Sequence, residues 1–166
     1  MKLTRRRSID DLRRAYEHLA RIDILEGALY GPAFCDVSAL AALALNELKA
    51  GRTRDAADLL CAAEHISFAA QTPGGYASAI GISDELRSAI HAEFENLVRR
   101  AGLSRQSPSI ARYGLVPEVC ARTLQMAQDA YTEELFGRAL ELARAADLLA
   151  EIAARTAITE PESLAS

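Results

Sequence analysis

Three histidines, His18, His65 and His91, are the residues of this 166-residue chain best suited to acid–base or metal chemistry, and each falls in a different stretch of helical pattern. Helical bundles do build metal sites from inward side chains on facing helices, so the spacing around each histidine decides what it can do. A di-iron centre needs Glu-x-x-His on two helices. Here Glu17–His18 and Glu64–His65 are adjacent, which turns each pair about 100° apart around a helix, and three residues before His91 stands Ser88. There is no H-E-x-x-H either. No metal and no cofactor are therefore expected; His18, His65 and His91, with Glu17 and Glu64 beside them, are the first ligands to suspect if a metal were found.

Arg87, His91 and Glu95 recur every four residues and lie in a row on one helix. A general base there would need a cleft, with Glu95 orienting His91. Ile90 and Phe94 put this row only at the border of the buried face, so a solvated ladder of charge pairs is the expectation. Cys35, Cys61 and Cys120 are odd in number and form no C-x-x-C pair. That speaks against a disulfide framework or a structural zinc site, and for a reducing compartment with Cys61 and Cys120 as small buried hydrophobes. Gly74-Gly75 lacks the strand and the Gly-Lys-Ser/Thr ending of a phosphate loop, and residues 75–79 lack the strand-turn-helix context of a nucleophile elbow. No catalytic residue is assigned.

Basic residues gather at Arg5, Arg6, Arg7, Arg13 and Arg14, and again at Arg99, Arg100, Arg105 and Arg112 beside Tyr113. Either group could neutralise phosphates. Against this stand a net charge of −4 and an aromatic content of 5%, too sparse for the stacking platforms of single-strand binders. Nucleic acid is not the expected partner. One local resemblance points the other way: Arg13-Arg-Ala-Tyr-Glu-His18 resembles the Arg-x4-6-His element of HEPN ribonucleases, and Ala62-Ala-Glu-His65 is similar to helices of that bundle family. The family carries its Arg-His element near the start of the last core helix, whereas here it lies in the first. The resemblance implies, as the alternative function, a nucleic-acid-contacting bundle or ribonuclease.

The elements that must position these groups are all helical. The composition is 50% hydrophobic with no Trp, so Leu, Ile and Ala must make the core by close helix approach. Ser8 is the expected start of a first helix ending before Gly31-Pro32, with Ile9, Leu12, Tyr16, Leu19 and Ile22 as its buried stripe. Asp36 should cap a second helix that stops at Gly51 and, lacking a polar face, forms the central element. A third starts near Thr53 and pairs with it as a hairpin. Ser83 caps a fourth, which ends at Gly102, and the glycine-rich segment 71–83 is a loop. Pro117 opens a final helical region to about Thr156, with a break expected near Asp129–Thr132 because Thr132-Glu133-Glu134 suits a new N-terminus.

The fold expected is an all-α single-domain bundle of five to six mostly antiparallel helices over residues 1–157, with a frayed tail from 158 to 166. The longest apolar run, Ala39 to Leu45, is too short to span a bilayer, and the basic N-terminus runs into Asp10 and Asp11 with no apolar stretch, so a cytoplasmic chain is expected. Surplus apolar positions suggest a non-catalytic bundle that acts on a protein partner or on itself. The expected form is a homodimer joined through Leu135, Leu142, Leu149 and Ile152.

Overall fold

A computed structural model describes residues 2–26, 31–71, 82–104, 110–111 and 113–158. They form six helices, α1 (Lys2–Glu26), α2 (Pro32–Lys49), α3 (Thr53–Gln71), α4 (Asp84–Ser104), α5 (Leu115–Thr132) and α6 (Phe136–Arg155), as expected of an all-α bundle. A two-residue antiparallel ladder is added: β1 (Ile110–Ala111) pairs with β2 (Ala157–Ile158), fastening the chain after α6 to the α4–α5 connection.

Helix ends follow local chemistry. Gly51, at φ +76°, ends α2 with its N–H on the Leu48 carbonyl while Arg52 N–H reaches back to Glu47, the two bonds of a Schellman turn. The same pair of bonds ends α5, from Glu134 to Tyr131 and from Leu135 to Ala130. There the left-handed position is filled by Glu134 at φ +60°. The expected break thus exists a few residues late, and Thr132-Glu133-Glu134 ends α5 instead of starting α6. Ser83 caps α4 as expected, its Oγ accepting the Leu86 N–H. Asp36 caps nothing: α2 starts a turn earlier at Pro32, and Asp36 is buried against Arg122 of α5. Ser8 likewise lies inside α1, Gly102 lies inside α4, and Pro117 stands third in α5.

The central helix is α3, not α2. It packs against α1, α2 and α6, whereas α2 packs chiefly against α3 alone. Three neighbours bury Ala56, Ala57, Leu59, Leu60, Ala62, Ala63 and Ile66 around most of its circumference, and its alanines let the other helices come close. On α2, Leu40 is buried but Leu43 only partly. The sixth helix is the second hub, with α4 and α5 packed on it.

Two expectations about apolar stripes are overturned. On α1 the inward residues are Ala15 and Ile22, with His18 and Leu19 partly covered, while Ile9 and Tyr16 are 60% and 58% exposed. Arg14 and Arg21 flank the α3 contact and pair with Asp58 and Glu64, which rotates the helix away from its largest apolar side chains. On α6 the proposed dimer face is spent within the protomer: Leu142, Leu149 and Ile152 are buried, and Leu135 partly so. The apolar surplus there serves contacts with α3, α4 and α5.

Candidate functional site

Along one side of α3, Arg54, Asp58, Cys61, His65 and Phe68 succeed one another at four- and three-residue steps, so they form a single strip. Helix α1 stands on one side of this strip and α6 on the other. Asp58 marks one end, held by Arg14 from α1 at 3.4 Å and by Arg155 from α6 at 2.9 Å. Arg155 also reaches Asp55 at 2.8 Å. Past Cys61 the walls are joined through two histidine–glutamate pairs. His18 of α1 bonds through Nδ1 to Glu64 of α3, whose other oxygen takes Arg21. His65 of α3 bonds through Nδ1 to Glu141 of α6 at 2.6 Å, and Arg144 holds the second Glu141 oxygen at 2.8 Å.

Adjacent residues serve opposite walls here. Glu64 and His65, turned about 100° apart on the helix, face α1 and α6 respectively. A carboxylate in a salt bridge only accepts hydrogen bonds, so each histidine donates through Nδ1 and presents Nε2 elsewhere. Cys61 is partly buried on this strip, one turn before His65 and one turn before Glu64, to which His18 bonds. Burial pushes the thiol up, but hydrogen bonding and charge from His18 and His65 outweigh it and bring its pKa down to about 6. Burial works against the His65 cation as well, yet Cys61 and Glu141 raise it to about 9. His18 is raised too, first by its hydrogen bond with Cys61, and Glu141 is lowered by the bond it accepts from His65.

Of the sequence candidates, the structure unites His18, Glu64 and His65 and leaves His91 apart. His91 bonds the Tyr131 hydroxyl at 2.7 Å beside the stacked Phe94–Tyr131 pair. Arg87 pairs with Glu134 of the α5–α6 turn and lies over Phe136, so these residues serve the α4 contact with that turn and do not form a charge ladder along α4. Glu17 bonds Arg13, not a histidine. Arg13 therefore points to solvent while His18 points to α3, and the two ends of the Arg-His element do not converge. Arg14, Arg99 and Arg100 are engaged by Asp11 and Asp58, Asn96 and Asp147. Gly74, Gly75, residues 76–79, Arg105, Arg112 and the side chains of Arg5, Arg6 and Arg7 lie outside the described residues. Among the described residues no His, Cys, Asp and Glu group has the geometry to hold a metal ion, and no helix is long and apolar enough to cross a membrane.

Two members of the site were missed from the sequence. In the sequence Cys61 reads as a buried hydrophobe, although Cys61-x-x-x-His65 is the four-residue spacing that stacks two side chains on one helix face. Glu141 carries no local signal, because its partner is 76 positions away. No family model matches the chain, and neither curated proteins nor solved structures provide a match.

Proposed function

We propose that this protein acts through Cys61, as a nucleophilic thiolate activated by His65–Glu141 and His18–Glu64. The observation that supports the reading is the placement of Cys61 one turn before two histidine–carboxylate pairs: His65 held by Glu141, and Glu64 holding His18, which together offer a nucleophile, a base and a carboxylate orienting that base. Acyl transfer is the less suited chemistry. Cys61 lies in the middle of α3, where backbone N–H groups are committed to the helix, and the oxyanion of an acyl intermediate would lack the fixed donors it requires. Reactions at sulfur that create no such oxyanion, oxidation and exchange, fit better. The test is site-resolved alkylation of the folded protein at neutral pH with a small haloacetamide. Cys61 should react faster than Cys35, the exposed thiol of α2, despite its partial burial.

A second reading, protein–protein contact or self-association without catalysis, is favoured by a different observation. Ile9, Leu12 and Tyr16 recur at three and four residues and all lie exposed on α1. On this reading α1 replaces α6 as the contact face, and a homodimer is its simplest form. Sedimentation at micromolar concentration tests it.

A further inference from the structure

Resting on the thiolate reading, we infer that the molecule consumed at Cys61 is a small hydroperoxide, reduced to water or an alcohol as the cysteine becomes a sulfenic acid.

Three features select this class. The first is access: Cys61 is partly buried on the strip between α1 and α6. The sulfur of a protein disulfide would have to come into line with a partly buried thiol on a strip flanked by two helices, whereas a molecule of a few atoms needs far less room. The second is proton supply. One oriented histidine is enough to assist a thiol, yet two border the strip, each held through Nδ1 by a carboxylate with Nε2 left over. Peroxide cleavage expels an oxygen anion that must be protonated as it leaves, and the additional imidazolium answers that need. The third is the lack of a second thiol facing the site among the described residues. Cys120 is buried on α5, its thiol on the Ala146 carbonyl, and Cys35 is exposed on α2, neither helix lining the strip.

The reaction balances without a further oxidant. The Cys61 thiolate attacks one peroxide oxygen, the S–O bond forms, and the O–O bond breaks. The departing oxygen takes a proton from an imidazolium Nε2. Sulfur is oxidised by two electrons and the peroxide reduced by two. A small thiol from solution then condenses with the sulfenic acid, releasing water and leaving a mixed disulfide. A second thiol displaces Cys61 and is itself joined in the disulfide product.

The experiment compares Cys61 with Cys35 inside the same wild-type chain, so it depends on no variant folding. Reduced protein is exposed to stoichiometric hydrogen peroxide at neutral pH, sulfenic acid is trapped with dimedone, and peptides are quantified by mass spectrometry. Cys61 should be trapped at least about tenfold faster than Cys35, and His18→Gln and His65→Gln should each remove most of that excess. Equal trapping at the two cysteines, with haloacetamide still preferring Cys61, would overturn the hydroperoxide assignment while leaving the thiolate reading in place. Preference for Cys61 with neither reagent would remove both.

Discussion

The 2.6 Å bond from His65 Nδ1 to Glu141 ties the third helix to the sixth and sets which ring nitrogen of His65 is left for Cys61. On the proposed reading, one side chain is both a structural cross-link and part of the reactive site. This coupling makes the chemistry of the site visible in stability measurements as well as in reactivity.

His65 carries the pH dependence that follows. Its pKa is raised in the folded chain to about 9 from 6.5, so its stabilising contribution is fully present below the unfolded value and is lost as pH rises through about 9. The melting temperature of wild type should exceed that of His65→Gln most below about pH 6.5, and the gap should narrow on the alkaline side. Calorimetry across that range checks the sign. A gap that widened with rising pH would contradict it.

The hub role of α3 predicts unequal costs for leucine truncation. Leu60→Ala, at a fully buried position, should lose about 2–5 kcal/mol of unfolding free energy, and Leu43→Ala on α2 less than about 2. Denaturant titration measures both. Equal costs would return α2 to the centre of the bundle.

Glu134 holds a left-handed conformation at φ +60° that costs a residue with a Cβ roughly 1 kcal/mol relative to glycine. Glu134→Gly should therefore stabilise the protein by up to about 1 kcal/mol, since the exposed 3.7 Å pair with Arg87 that is lost contributes little. A lower melting temperature in the variant would count against this account of the α5–α6 turn.

Self-association, where present, should run through α1. Tyr16→Glu places a charge beside Ile9 and Leu12 on the exposed stripe and should shift a dimer to monomer in sedimentation without changing the melting temperature of the monomer. Leu149→Ala should instead unfold the protomer, because Leu149 is fully buried within it. A dimer indifferent to Tyr16→Glu would place the contact elsewhere.

Several helix ends were legible in the sequence because their signals are local, as Gly51 after Lys49 and Ser83 before Asp84 show, whereas Pro32, read as a stop, opens α2 in place of Asp36. Packing was less so. Periodicity on α1 grouped Ile9, Leu12 and Tyr16 as core, yet Arg14 and Arg21 find carboxylates on α3 and turn that stripe outward. Glu17–His18 and Glu64–His65 were visible as neighbours in sequence, whereas the bond that forms crosses between them, His18 to Glu64. No spacing rule links Cys61 to residues on α1 and α6. Only the placement of α3 between those helices does so.

The central claim is most directly tested by the pH profile of Cys61 alkylation in the folded protein, read peptide by peptide. The groups facing the thiol's surroundings are Arg14, His18 and Arg21 from α1, Asp58, Glu64 and His65 from α3, and Glu141, Arg144 and Arg155 from α6; burial raises the thiol most, and the two histidines together outweigh it. The rate should rise through a midpoint near 6 and stay level above it, with His65→Gln moving the midpoint upward. A midpoint in the ordinary thiol range, around 8.5, unchanged by His65→Gln, would contradict the account.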